Sequence, residues 1–266
     1  MIQLAFSPCP NDTFIFDALV HGKIDLESLE FDFRMEDVET LNNLALNGKA
    51  DMIKVSFHAY LYLQQTYVLL QSGSALGLGN GPLLIAKKDF PTDEISLLTI
   101  AIPGEYTTAN MLFSLAFPEA GLKRFMVFSQ IEEAILSDTV DAGVIIHENR
   151  FTYRNKGLIS LLDLGEYWEG LTHTPIPLGG IIAKKSLGYE VISKLNRIMH
   201  HSVEYAMLNG PDVMPFVRVN AREMNEEVMI KHIGLYVNNF TLQLGKEGSS
   251  AVSRLLEIAR EKKLIM

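Results

Sequence analysis

The chain carries one cysteine, Cys9. A lone thiol cannot close an intramolecular disulfide or build a cysteine-cluster zinc site. No run of Lys and Arg offsets the net charge of −9, which argues against nucleic acid or an anionic membrane as the main partner. No apolar stretch approaches the roughly 20 residues needed to cross a bilayer. The opening Met1-Ile-Gln-Leu-Ala-Phe6 lacks the basic start, long apolar middle and cleavage site of a signal peptide, so the expected location is the cytoplasm. No segment is of low complexity. The histidines offer no spacing for a metal: His200 and His201 are adjacent and diverge on a helix, His21 and His232 fall near expected helix ends, and His173 precedes a Pro-rich stretch that could bring it near a cleft. Gly77-Leu-Gly-Asn-Gly81 is followed by Pro82 and an apolar strand rather than by a helix, so it fails as a dinucleotide fingerprint. No cofactor is expected.

What the chain does have is apolar patterning. Its 266 residues are 48% hydrophobic, enough for one large or two modest cores. Asp141-Ala-Gly-Val-Ile-Ile-His147 reads as a strand covered on both faces and ending on a histidine. That edge of an open α/β sheet is where ligands bind, and an imidazole there can move a proton near neutral pH. The other reading of His147 is a histidine that ends a strand and bonds a nearby carbonyl.

Strand and helix signals alternate. Residues 2–6 read as a strand. The two prolines of Ser7-Pro-Cys-Pro-Asn11 break regular structure, and Asn11 or Asp12 caps a helix that stops at Gly22. Residues 29–35 alternate as a half-buried strand, Asp37 caps a helix closed by Gly48, and 52–55 form a strand with Ser56 placed to cap the next helix. The unit recurs: strand 98–102, a helix from Thr107 or Thr108, strand 125–128, Ser129 capping a helix through Leu136, then strand 141–146. Leu46 to Ser56 resembles Leu136 to His147, which places Ser56 and His147 at equivalent edges of two similar lobes. Residues 189–208, 225–235 and 247–262 carry helical periodicity. Segments 71–82 and 174–180 can join the lobes as hinges. The layout is an α/β, two-lobed fold with mixed, mostly parallel sheets and a central cleft. Its expected division is 1–86, an inserted lobe 87–182, and a mainly helical return 183–266.

Three further edges are candidate ligand sites. Thr107, Thr108 and Ala109 open a helix whose free amides and hydroxyls can bind a carboxylate, or the threonines act as caps only. Lys54, Val55 and Ser56 end the partner strand; Lys54 either faces the cleft or reaches solvent. Ser7 to Asp12, with Asn11 and Asp12, is a stiff polar turn at a strand end, or merely a turn. Cys9 has no base adjacent in sequence and is not assigned a nucleophilic role.

Ser7-Pro-Cys-Pro-Asn-Asp-Thr-Phe14, Glu36-Asp-Val-Glu-Thr-Leu-Asn42, Lys54-Val-Ser56, Pro103-Gly-x-x-Thr107-Thr108-Ala109, Ile145-Ile-His147-Glu148-x-Arg150-Phe-Thr-Tyr153, Pro177-Leu-Gly-Gly180 and Tyr236-Val-Asn-x-Phe240 together resemble the 1,4-dihydroxy-6-naphthoate synthase family of the futalosine route to menaquinone. The resemblance covers nearly the whole chain. It implies a type II periplasmic-binding-protein-like fold turned into a lyase. The implied substrate is cyclic dehypoxanthine futalosine, and the implied products are 1,4-dihydroxy-6-naphthoate and dihydroxyacetone. The family's catalytic base falls on His147, and its substrate-binding positions fall on Lys54 to Ser56 and on Thr107 and Thr108. The small-molecule substrate is the expected partner, with no nucleic acid and no membrane; a homodimer stays open. Two other readings remain: a chorismate dehydratase of the same pathway, and a non-catalytic binding protein for a small organic acid. Turnover of the naphthoate precursor is expected to survive exhaustive chelation and to need no added nucleotide. Activity lost to a chelator and restored by one metal would overturn this expectation.

Overall fold

The computed structural model describes residues 1–221 and 225–264. The first lobe begins with β1 (Ile2–Phe6), α1 (Pro10–Val20), β2 (Phe31–Met35), α2 (Val38–Leu46), β3 (Met52–Ser56), α3 (Phe57–Leu63), β4 (Tyr67–Leu69) and β5 (Ala75–Gly77). The second lobe holds β6 (Leu83–Ala86), β7 (Ile100–Ile102), α4 (Thr108–Ala116), β8 (Lys123–Phe125), α5 (Ile131–Leu136), β9 (Ala142–Ile145), α6 (Asn149–Thr152), β10 (Ile159–Asp163) and α7 (Leu164–Thr172). The return comprises β11 (Ile176–Lys184), α8 (Gly188–Leu208), α9 (Gly210–Asn220), α10 (Glu226–Tyr236), α11 (Asn239–Leu242) and α12 (Gly245–Glu261).

Two mixed sheets result. The first runs β2-β1-β3-β11-β4, with β5 paired to the leading part of β11. The second runs β10-β6-β9-β7-β8. The parallel pairs are those of the β-α-β units: β1 with β2 and β3, and β7 with β8 and β9. The antiparallel pairs come from strands at the crossings, β11 against β3, β4 and β5, and β6 against β9 and β10. A βαβ pattern does not anticipate them, because they arise where the chain passes between lobes and runs back.

Helices cover both faces of each sheet. Phe6 of β1 stacks on Phe16 of α1 at 4.4 Å in a core shared with α8, α9 and α10. Leu41 of α2 and Tyr67 of β4 fill the opposite face. In the second lobe, Ile131 and Ile135 of α5 pack on Ile85 and Ile145. The largest core joins Val144 and Ile100 of the second sheet to Phe57 of α3, Trp168 of α7 and Leu255 of α12. Helix α12 therefore buries its apolar face where the lobes meet, rather than on the first lobe alone as the 183–266 assignment expected. Residues 222–224 and 265–266 of that span lie outside the described residues.

Several expected boundaries shift. Strand β6 belongs to the second sheet, so the outward crossing is 78–82 and the first segment ends before 86. β11 joins the first sheet from Ile176, ahead of the 182/183 boundary, because its apolar run continues through Pro177 and the two glycines. Helix α1 starts at Pro10 with Cys9 as N-cap, not at Asn11 or Asp12. A proline fits the first helical turn, where its missing N–H has no partner to lose. The strand expected at 125–128 is β8 at Lys123–Phe125, and a 3₁₀ turn at Phe128–Gln130, not a Ser129 cap, leads into α5. Helices α7 and α9 carried no sequence expectation. α9 holds Pro211 in its first turn and Pro215 inside, yet buries Val213, Met214 and Val217. Tertiary packing outweighs local propensity there.

Gly81 in the outward crossing lies against Gly165 of α7: a Cβ added at Gly81 would meet the Gly165 backbone at 2.3 Å. Backbone cannot yield as a side-chain tip can. Gly81→Ala is therefore expected to destabilise the protein by about 1–3 kcal/mol, read as a lower urea midpoint at unchanged slope. An unchanged midpoint would show that this contact is not rigid.

Candidate active site

Strand ends and helix N-termini of both lobes converge on one cleft of about 710 Å³ of empty space, its solvent-open mouth included. All nine expected residues line it: Asn11, Asp12, Lys54, Val55, Ser56, Thr107, Thr108, Ala109 and His147. So does Ser7 of the expected Ser7–Asp12 turn, and so do Asn80, Gly179, His232 and Tyr236, which were not assigned to the site beforehand.

The floor is a buried ion pair. Lys54 points into the protein rather than into solvent, with Nζ 3.0 Å from Asp12 Oδ1 and 3.2 Å from the Gly73 carbonyl. Lys54 is 8% and Asp12 2% exposed. Asp12 also accepts from the Ser7 hydroxyl at 2.7 Å and from Asn11 Nδ2 at 2.8 Å. Asp12 thus ties the first turn of α1 to β3 and to the Ser7 turn. Removing one partner of such a pair leaves a buried, uncompensated charge and costs about 3–5 kcal/mol.

Ser56 ends β3 and occupies the N-cap of α3, but its side chain makes no cap bond. Asn42, fully buried on α2, holds it instead: Asn42 Oδ1 accepts the Ser56 N–H at 3.0 Å, and its Nδ2 donates to Ser56 Oγ at 3.4 Å. Ser56 keeps its own hydroxyl proton for a ligand.

Thr107 caps α4, accepting from the Asn110 N–H at 3.2 Å and donating to the Gly104 carbonyl at 2.8 Å. Thr108 Oγ1 donates to the Leu178 carbonyl at 2.7 Å and accepts from the His58 N–H at 3.4 Å. Both hydroxyl protons are committed to protein carbonyls, so the expectation that these hydroxyls donate to a ligand does not fit this geometry. The donors left for an anion are the Thr108 and Ala109 N–H groups, the first two of a helix with no acidic side chain in its first turn. Beneath them His58 is buried, its Nδ1 3.2 Å from the Thr107 carbonyl; burial lowers its pKa.

His147 does not end the strand itself. β9 stops at Ile145, and His147 lies two residues on, in a turn with φ +57°. A side chain in the left-handed region costs about 1–2 kcal/mol, so the surroundings must hold it. Glu132 accepts from Asn149 Nδ2 at 2.6 Å and from Lys156 Nζ at 2.7 Å, and Arg150 bonds the Gly81 carbonyl and Asp163. These anchors fix the residues just after the turn. The His147 ring packs 5.0 Å from Phe128 and lies parallel to His232, with centroids 6.0 Å apart and planes 7° from coincident.

His232 sits in the middle of α10, not near its end, and is fully buried. Its Nε2 is 2.9 Å from Asn11 Oδ1. Burial first, and then His147, hold its pKa well below the ordinary histidine value, so the ring is neutral. Tyr236, one turn on, donates to the Asn80 carbonyl at 3.3 Å, and burial pushes its hydroxyl up to about 12. The sequence signal for this face was a histidine and a tyrosine spaced i, i+4 on the buried side of a helix with Met229. His173 caps α7 and does not line the cleft. Among the described residues no group of three or more His, Cys, Asp or Glu could hold a metal ion.

The lobes touch across the cleft. Glu39 of α2 accepts the Tyr106 N–H of the opposite lobe at 3.1 and 3.2 Å, and it also accepts from Asn42 at 3.1 Å. Burial raises the Glu39 carboxyl above the ordinary range against these bonds. The approach needs Gly104, at φ +147°, because a Cβ there would meet Glu39 at 2.5 Å.

Two α/β lobes around a cleft ringed by helix N-termini define a periplasmic-binding-protein-like class. The alkanesulfonate-binding protein of Xanthomonas axonopodis pv. citri shares this fold, with a TM-score of 0.71 at 11% identity over 100% of this chain and 94% of that one. The chain belongs to the menaquinone biosynthesis family, which matches residues 2–261. It is 41% identical to the 1,4-dihydroxy-6-naphthoate synthase of Thermus thermophilus over 99% of this chain and 95% of the relative. It is 40% identical to that of Streptomyces coelicolor over 99% and 94%. A crystal structure of a protein from Archaeoglobus fulgidus superposes with a TM-score of 0.94 at 35% identity, covering 99% of this chain and 98% of that one. Among the described residues no helix is long and apolar enough to cross a membrane.

Gly104→Ala is expected to wedge the lobes apart. The radius of gyration in solution scattering with saturating product is expected to stay at the unliganded value, while the parent compacts, and product affinity is expected to fall about tenfold or more. Equal compaction in both proteins would show that Glu39 and Gly104 play no part in closure.

Proposed function

We propose that this chain is a 1,4-dihydroxy-6-naphthoate synthase. It is a cytoplasmic, cofactor-independent lyase that cleaves cyclic dehypoxanthine futalosine to 1,4-dihydroxy-6-naphthoate and dihydroxyacetone. Full-length identity of 41% and 40% to two synthases supports the reaction. The observation that carries the mechanism is His147, held on a left-handed turn at a cleft that also presents the N–H groups of α4.

In this reading the His147 imidazole accepts the proton of a sugar hydroxyl. The alkoxide electrons form a carbonyl as the adjacent carbon–carbon bond breaks, and the released pair passes to the ring ketone as an enolate. Amides at the start of α4 and the Ser56 hydroxyl hold a carboxylate or the developing oxyanion. His147 returns its proton as the ring becomes aromatic. The Lys54–Asp12 pair is spent on internal bonds and serves as scaffold rather than as acid. Closure of the lobes keeps water from the enolate.

Purified protein incubated with cyclic dehypoxanthine futalosine is expected to release the naphthoate, detected by chromatography. Water loss from chorismate would instead identify the dehydratase, and binding without turnover a solute-binding protein. His147→Ala and His147→Asn are expected to lower turnover by about 10²–10⁴-fold with substrate affinity largely kept. Near-parent turnover in His147→Asn would remove His147 from the role of base.

A further inference from the structure

His232 and Glu148 stand behind the base, and their polar atoms are arranged in a way that fixes a proton. Asp12 accepts from Lys54 Nζ and takes the Nδ2 donor of Asn11. Asn11 must therefore offer Oδ1 to His232, and His232 must donate from Nε2. A neutral ring then carries a bare lone pair on Nδ1. That atom lies 3.8 Å from Glu148 Oε2. Both atoms are buried, and neither has a hydrogen-bond partner among the described residues. Two acceptors facing each other in a buried place are unfavourable unless a proton lies between them.

We propose that Glu148 and His232 share one proton across this gap, and that the resulting bond makes them positioning residues for His147. The role in turnover rests on the function proposed above; the proton itself does not. Glu148 adjoins His147 in the strained turn, and His232 supplies the flat face along which the His147 ring lies. The bond also joins α10 to the turn after β9, so it ties the base to the opposite lobe. The other titratable groups around His232 are His147 from the same turn, Tyr236 on its own helix, and Asp12 and Lys54 behind Asn11. Cys9, Arg150 and Asp163 act on Tyr236 from further out.

The test separates the proton from catalysis. In unliganded protein labelled with ¹⁵N-histidine, long-range proton–nitrogen spectra are expected to show His232 protonated on Nε2, with its Nδ1 accepting a hydrogen bond. Glu148→Ala is expected to return Nδ1 to the shift of a bare lone pair, and Glu148→Gln, whose amide donates without titrating, to restore the hydrogen-bonded shift. In turnover, Glu148→Ala is expected to lower kcat by about 10²-fold, the scale of a misplaced catalytic group, with KM changed far less. Glu148→Gln is expected to recover most of that loss. His232→Gln, which keeps a donor to Asn11 but no Nδ1, is expected to behave as Glu148→Ala. Nδ1 shifts that are the same in parent, Glu148→Ala and Glu148→Gln would overturn the shared proton. Glu148→Ala with parent kcat, or a Glu148→Gln that recovers none of the loss, would overturn the positioning role. If the parent turns over no futalosine derivative, the proposed function fails while the spectra still decide the proton.

Discussion

A lysine and an aspartate, each less than a tenth exposed, meet at the floor of the cleft, and the polar order of the site follows from them. Two charges are costly to bury, and the cost is recovered only with close geometry and further hydrogen bonds. Ser7, Asn11 and the Gly73 carbonyl provide those bonds. Because Asp12 accepts from Asn11, the orientation of the Asn11 amide is settled, and with it the tautomer of His232. A charge pair that touches no reacting atom in the proposed mechanism thereby sets the polarity of a chain that reaches the turn of His147.

Around that floor the fold does what open α/β sheets do: strands deliver helix N-termini, and their free amides face a common space. A protein of the same fold at 11% identity is an alkanesulfonate-binding protein, so the architecture alone does not choose between binding and catalysis. This cleft carries a histidine on a strained turn, a second histidine parallel to it and a carboxyl near both. The strain is held by Glu132, Asn149, Lys156, Arg150 and Asp163, none of which lines the cleft.

Much of this was legible because it is written locally. Buried runs followed by capping residues marked β3, α4 and β9. Asp37 caps α2 as its spacing implied, accepting from the Glu39 and Thr40 N–H groups. Edges found in this way gave residues that line one cleft. What escaped is non-local. His232 meets Asn11 across 221 positions, and no neighbouring residue encodes that partner. Lys54 was ambiguous because its counter-ion sits 42 positions away. The threonines of α4 read as donors because sequence shows a hydroxyl but not the Gly104 and Leu178 carbonyls that claim it. Helix α9 was obscured by prolines that its packing on α1 overrides.

The core shared between the lobes bears on how the protein is made. Phe57 leaves the ribosome well before Leu255, yet both belong to one apolar cluster with Ile100, Val144 and Trp168. A chain growing from the ribosome cannot finish that cluster until α12 is released. Until then the faces of α3, α4 and α7 stay open to water and to other chains. Contacts this distant along the chain slow folding, because loop closure must precede any gain from burial. Chaperone demand therefore falls in the interval before α12 is released. Loss of α12 would leave both lobes with an unfinished interior.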